Sequence, residues 1–305
     1  MQTANPTTPP LGRQRSRRRW WRSLVLVVAA VVLAGIALLR FGPAQRDEPP
    51  PSAAELRRHW QAGLRWMQAN RAQLLADGNP MLWRMVRDAA AVSREPMLDE
   101  MLRAWRQNHF PREPFDAWLL LVDPSARPAN PRPAGFAALP AYMKLFAYGT
   151  TCDPAIGAVE VVQKQTQAGW CSAWAPRRVA RQSKCVTHQL VGVMLMQQRQ
   201  CGDPAAVAAL VRQLQDRIVD ELSLDPVMRD AYLQRVLMLY WTDAPQRVKP
   251  VWLNRVLRAQ RPDGGWDYTS SFEDAAGDIR NDFHATAQGL LIVALALREA
   301  ESTRR

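Results

Sequence analysis

The chain has 305 residues, 48% of them hydrophobic and 22% charged, with a formal net charge of +12. That length fits one large domain or two small ones, and the apolar fraction is ordinary for a packed core. Six of the positive charges are Arg13, Arg15, Arg17, Arg18, Arg19 and Arg22. The rest of the excess is spread thinly, with no basic run interleaved with aromatics, which excludes a nucleic-acid role.

The first predicted element follows those arginines. Ser23 to Leu39 carries no charge and is dominated by Leu, Val, Ala and Ile, a run that just reaches the length that spans hydrocarbon. With a basic tail over 1–22 and Trp20 and Trp21 at the boundary, residues 23–41 are expected to form a transmembrane helix with its N-terminus cytoplasmic. The remainder is then exported, placing the chain at a bacterial inner membrane with a periplasmic domain. Two alternatives compete: a cleaved signal peptide with a processing site near Gly42-Pro43-Ala44, and a twin-arginine signal at Ser16-Arg17-Arg18-Arg19.

A Pro-rich linker over 42–52 leads to Ser52-Ala53-Ala54-Glu55, spaced as a capping box. Apolar residues then recur at three and four positions, as in Leu210, Val211, Leu214, Ile218 and Leu222, and no sustained period-2 alternation appears. The class is all-α. Helices are expected over about 53–76, 80–92, 96–108, 113–121, 138–148, 154–166, 185–199, 204–222, 226–241, 248–260 and 282–299. Asp153-Pro154, Asp203-Pro204 and Asp225-Pro226 each place an N-cap before a proline, harmless at the first helical position because its missing N–H has no partner to lose. The Pro- and Ala-rich stretch 123–140 separates an N-terminal helical region, 53–122, from a C-terminal one, 137–300.

Cys152, Cys171, Cys185 and Cys201 lie in the exported part, where disulfides are the default. Cys185 and Cys201 sit at opposite ends of one predicted helix, about 24 Å apart at its rise per residue, too far to bond. If helix 154–166 packs antiparallel against 185–199, the close pairs are Cys152 with Cys201 and Cys171 with Cys185. A four-cysteine metal site competes, but lacks any Cys-x-x-Cys spacing.

Near the C-terminus, Gln260-Arg261-Pro262-Asp263-Gly264-Gly265-Trp266 precedes a polar loop and Asp282-Phe283-His284-Ala285-Thr286-Ala287-Gln288-Gly289-Leu290. The glutamine ends one helix, the glycines permit backbone angles that a Cβ forbids, and the indole covers the junction with the next helix. An echo lies earlier: Gly169-Trp170 precedes Thr187-His188 by the interval that separates Gly265-Trp266 from Phe283-His284. The pattern resembles the repeat of the α/α-toroid superfamily, which includes squalene and hopene cyclases and protein prenyltransferases. The resemblance covers the C-terminal half and implies an array of helical hairpins around a central funnel, with His188 and His284 near the starts of inner helices at one end.

Those histidines are the primary candidate catalytic residues, since a ring in that position suits proton transfer or metal binding. Asp282-Phe283-His284 also resembles the Asp-x-Cys pair by which prenyltransferase β subunits hold zinc, with His replacing Cys. That implies Asp282 and His284 as ligands of zinc or another divalent metal, and Asp282 as a third catalytic candidate. Such a site needs a further His from a neighbouring helix, and His188 stands two repeats away. The competing reading makes Thr187-His188 and His284 helix caps. The cyclase motifs Asp-x-Asp-Asp and Asp-Asp-x-x-Asp and the thioester Gly-Cys-Gly-Glu-Gln are absent.

A glycoside hydrolase needs two carboxylates, which Glu160, Asp263, Asp267, Glu273, Asp274, Asp278 and Asp282 are able to supply. A polysaccharide lyase would use His284 or Tyr268 as base, with Arg280 and Asn281 against a uronate. Trp170, Asp263, Trp266, Tyr268 and Arg280 are the binding candidates. The expected function is ligand or partner binding in the funnel, an envelope polymer or a protein being the partner classes. The alternative is an enzyme acting on an envelope polymer through a His-centred site.

Overall fold

The structure, a computed structural model, describes residues 12–41, 46–112, 115–171, 185–225, 228–267 and 279–302. Within 12–41 the side chains described are those of Trp20, Trp21 and 23–35, and those of 279–281 are not described. Every regular element among the described residues is helical, apart from one isolated bridge between Gln260 and Trp266. Two compact units divide at Arg46.

The first unit contains α1, Gly12–Phe41. Its apolar side chains from Leu24 to Leu33 are exposed. Among the described residues no helix is long and apolar enough to cross a membrane; the described side chains of the uncharged run stop at Gly35, short of the full 23–39 stretch.

The second unit, Asp47–Arg305, holds everything else. In chain order its helices are α2 Ala53–Ala69, α3 Arg71–Leu75, α4 Pro80–Ser93, α5 Pro96–His109, α6 Ala141–Thr151, α7 Pro154–Gly157, α8 Glu160–Gln165, α9 Cys185–Arg199, α10 Pro204–Leu224, α11 Asp230–Trp241, α12 Pro250–Arg258 and α13 Ile279–Ser302, with 3₁₀ turns at Ala117–Leu121, Phe136–Ala138 and Pro245–Arg247. Caps set many of the starts. Ser52 Oγ accepts from Glu55 N at 3.1 Å, Asn79 Oδ1 from Met81 N at 3.0 Å, Asp153 Oδ1 from Ala155 N at 2.7 Å and Asp203 Oδ2 from Ala206 N at 2.9 Å.

Several boundaries differ from the sequence reading for local reasons. The helix expected over 53–76 breaks at Asn70, whose side-chain amide bonds the Trp66 carbonyl and competes with the ladder. The one expected over 154–166 breaks at Ala158-Val159. The 113–121 segment is a 3₁₀ turn from Ala117 to Leu121. Asp225, expected to start a helix, instead ends α10, and its carboxylate is held by Arg235 at 2.7 Å.

Residue pairs fix how the helices run. Tyr142 stacks on His188, Gly149 meets Gly192 and Leu195, and Cys152 bonds Cys201, so α6 and α9 are parallel. Thr187 pairs with Gln234, Asp230 with His284, and Trp83 with Phe283. These bring the N-terminal turns of α9, α11, α13 and α4 to the same end. The return helices lie behind them: α5 against α4, α8 against α6, α10 against α9 and α11, and α2 against α13. Burial follows this division, since α9, α11 and α13 are buried on nearly every face while α2, α5 and α10 bury one stripe.

Both expected disulfides are present, Cys152–Cys201 and Cys171–Cys185. The segment between them runs back antiparallel, because Gln165 Nε2 bonds Ala141 O at 2.7 Å and Gln189 Nε2 bonds Gln165 O at 2.6 Å.

The turn after α12 is held by packing. Gln260 Nε2 donates to Gly264 O at 2.8 Å and His59 O at 3.0 Å, while its Oε1 faces His59 Nδ1 at 2.6 Å. Trp266 is fully buried; its indole N–H donates to Val256 O at 2.8 Å and its backbone N–H to Thr286 Oγ1 at 3.0 Å. The ring lies so close to α13 that a Cβ on Gly289 would stand 2.5 Å from it. Of the paired glycines only Gly264 has positive φ, +97°; Gly265 is small because Trp66 Nε1 would lie 2.6 Å from its Cβ.

Candidate ligand cavity

The N-terminal halves of α4, α6, α9 and α13, α11 from Gln234 to Trp241, and the 3₁₀ turn at Trp118 and Leu121 line a cavity of about 140 Å³. Its wall is largely apolar, with Met81, Met85, Phe146, Val191 and Leu237 on the sides and Trp118 and Trp241 among the larger faces. His188 and His284, expected to stand too far apart for a shared site, both line it. The two-repeat separation in sequence closes in space because α11 bridges them. Thr187 Oγ1, beside His188, donates to Gln234 Oε1 at 2.8 Å, and Gln234 Nε2 donates to Asp230 Oδ2 at 2.9 Å.

Asp230 organises the polar side of this wall. It occupies the first turn of α11, its side chain fully buried, and its Oδ1 lies 2.6 Å from His284 Nδ1 and 2.8 Å from Gln288 Nε2. A carboxylate on Nδ1 makes that nitrogen the donor and fixes the orientation of the ring. The imidazole retains 26% of its side-chain exposure. Gln288, one helical turn after His284, is 1% exposed, and its Oε1 has no hydrogen-bond partner among the described residues. The amide is oriented by Asp230: a carboxylate only accepts, so the atom facing it at 2.8 Å is the NH₂. His188 stacks on Tyr142, with ring centroids 4.3 Å apart, and meets Phe146 edge-on.

A charged layer lies deeper. Arg84, almost fully buried, bonds Gln198, approaches Asp88 at 3.8 Å and faces the Trp241 ring at 5.5 Å. Trp241 Nε1 donates to Asp88 Oδ2 at 2.7 Å. Burial pushes the Arg84 guanidinium down to about 10, with Asp88 opposing the shift. The tryptophan whose ring lines the cavity is thereby tied to this layer.

The other candidates fall elsewhere. Asp282 is ion-paired with Arg261 at 2.7 Å and does not line the cavity, so the Asp282–His284 metal pair is not assembled; the carboxylate on His284 is Asp230. Among the described residues no group of three His, Cys, Asp or Glu is placed to hold a metal ion. Asp263 pairs with Arg261 at 2.8 Å and accepts from Gly265 N at 3.0 Å. Trp266 is buried in its turn and Trp170 is 36% exposed; neither borders the cavity. Tyr268, Glu273, Asp274 and Asp278 lie outside the described residues, as do the side chains of Arg280 and Asn281. Glu160 is exposed and paired with Lys164, and Asp267 is bound by Arg261.

Sequence reasoning missed Asp230, Gln234, Gln288 and Tyr142. The i, i+4 spacing of His284 and Gln288 on one helix face was a signal for the third. No local signal marked Asp230, whose role depends on the packing of α11 against α13. Compared with models of protein families, with characterised proteins and with solved structures, the chain matches none of them.

Proposed function

We propose that the helical body is a binding module that takes a small ligand in the cavity between the N-terminal turns of its inner helices. The observation that carries this reading is the convergence of His188, His284 and Gln288 on one mostly apolar cavity, with a buried carboxylate behind them. Few polar groups converging on an apolar hollow is the usual composition of a ligand site. The parallel inner helices and the buried Gln260–Trp266 turn support an α/α-toroid-like architecture for this body. We further propose that α1 anchors the chain at the bacterial inner membrane through residues 23–41, with the body in the periplasm. The uncharged run behind six arginines supports the anchor, and the two disulfides support an oxidising compartment.

The test is a thermal-shift screen of the purified full-length chain against small fragments, repeated on Val191→Phe, which fills the cavity. Hits that raise Tm in the parent and vanish in the variant are expected. Hits that persist in Val191→Phe, or none at all, reject the cavity as the site. Carbonate extraction of membranes tests the anchor: the full chain stays in the pellet, whereas release into the supernatant removes it.

One observation favours a second reading, an acid–base enzyme acting on an envelope polymer. Asp230 holds His284 Nδ1 at 2.6 Å, an arrangement that prepares the ring to pass a proton. Within the described wall, paired carboxylates for glycoside hydrolysis and a cation for a uronate are both missing, so proton transfer by His284 is the chemistry that this part of the site offers. Turnover of a peptidoglycan or polysaccharide preparation that is lost in both His284→Ala and Asp230→Asn would favour the enzyme.

A further inference from the structure

We infer that the cavity selects a small, uncharged alcohol carried on an apolar ring. The inference rests on the ligand-cavity reading and names the chemical class that fits. Its first support is size: a cavity of about 140 Å³ is of the order that encloses a six-membered carbon ring. Composition agrees, since apolar side chains such as Met81, Met85, Phe146, Val191 and Leu237 predominate in the lining.

The polar side decides the functional group. Gln288 Oε1 is buried without a partner among the described residues, and its orientation is set because Nε2 is committed to Asp230. A buried acceptor left unmade is costly, so a ligand that donates there gains what a purely apolar one forgoes. The second group at this wall, the His284 ring, stands beside Gln288 with Nε2 of the amide 3.1 Å from its Nδ1. A hydroxyl suits this wall, because its single proton goes to Oε1 and its oxygen remains an acceptor that the apolar side of the cavity does not need to supply.

The charge balance of the described wall disfavours the neighbouring classes. No Lys or Arg lines the cavity among the described residues, so a carboxylate would be desolvated without a cation on that wall. An ammonium fares little better. Among the described residues no carboxylate lines the cavity either, and Asp230 stands behind the wall with its oxygens engaged by His284, Gln288 and Gln234.

Four probes of one shape separate these terms: 4-fluorobenzyl alcohol, 4-fluorotoluene, 4-fluorobenzoate and 4-fluorobenzylamine, each titrated against the full-length chain by ¹⁹F NMR. The alcohol is expected to bind about five- to tenfold more tightly than the toluene, the value of one net hydrogen bond, and more tightly than either ion. Gln288→Met is expected to bring the alcohol to the level of the toluene and leave the toluene unchanged. If that variant does not fold, the ranking on the parent chain decides. Alcohol and toluene binding alike would overturn the hydroxyl selection while leaving the cavity a ligand site. A tighter benzoate or benzylamine would overturn the charge argument. Absence of all four probes, or their retention in Val191→Phe, would overturn the cavity reading together with this one.

Discussion

Two corners of the molecule begin with the same dipeptide and are held by different means. After α12, Gly265-Trp266 tucks its indole under α2 and α13, fully buried and hydrogen-bonded to Val256. After α8, Gly169-Trp170 leaves its indole 36% exposed, and the next residue, Cys171, is bonded to Cys185 at the start of α9. Each device ties a return helix to the neighbourhood of the next inner helix. The first does so by apolar burial, available because Gly289 leaves room for the ring; the second uses a covalent bond. A shared Gly-Trp is therefore no guide to a shared role: the partners supplied from distant helices decide what the tryptophan does.

The largest expected effect is the sharpest test of that contrast. Trp266→Ala should destabilise the fold by roughly 3–5 kcal/mol, the penalty for truncating a fully buried aromatic. Trp170→Ala should stay within about 0.5 kcal/mol, as expected for a change at the surface. Urea denaturation of the two variants beside the parent measures both. Equal losses would erase the difference between the corners.

The covalent corner is tested by its bridges. Removing Cys171–Cys185, which spans 14 residues, should cost about 3 kcal/mol on the chain-entropy model, against about 4 kcal/mol for Cys152–Cys201 with its span of 49. Paired Cys→Ser variants, compared by urea midpoint with unchanged slope, give the order. With both bridges reduced, Trp266 should become the stronger of the two corner devices.

What was legible in the sequence tracks how local its cause is. Most helices, the caps at Ser52, Asp153 and Asp203 and the glutamine-to-tryptophan turn follow from spacing within a few residues, whereas the disulfide pairing needed helix length together with antiparallel packing of the segment before α9. The candidate site was half legible. His188 and His284 stood out as rare residues at matched intervals, yet their meeting depends on Asp230 and Gln234 of α11. Nothing within ten residues of Asp230 announces that it will be buried beside His284. Asp282 misled because it is next to His284 along the chain, whereas in a helix residues two apart point to different faces, and Arg261 was waiting on the other side.

Glycine variants refine the corner comparison at intermediate cost. Gly264→Ala meets both a positive φ and the Ala62 carbonyl 2.1 Å from the new Cβ, so strain and overpacking add to about 2–5 kcal/mol. Gly169 also has positive φ, +79°, but among the described residues nothing lies within 4 Å of its added Cβ. Its substitution should cost only the conformational part, about 1–2 kcal/mol. Thermal melts of both variants that gave the same shift would show that packing at the Trp266 corner contributes nothing beyond backbone strain.

The smallest effect concerns acid. The hydrogen bonds from Arg261 hold the Asp263 carboxyl below the usual carboxylate range, against a partial burial that pushes it up. Its folded value is depressed, so the unfolded chain takes up the proton first as pH falls. The stability it contributes is complete above roughly pH 4, the unfolded carboxylate range, and is lost as pH drops through the folded value. No carboxylate pairs with an arginine at Gly169-Trp170 among the described residues, so this acid sensitivity belongs to the tryptophan-packed corner. Arg261→Met should flatten the fall of Tm between about pH 4 and pH 2 while lowering Tm slightly at neutral pH. Asp123 should preserve some of the slope in the variant: burial pushes its carboxyl up, but bonds from Ser125 and Arg106 more than offset this. An unchanged slope in Arg261→Met would mean that the corner's carboxylates contribute no more to stability than exposed ones.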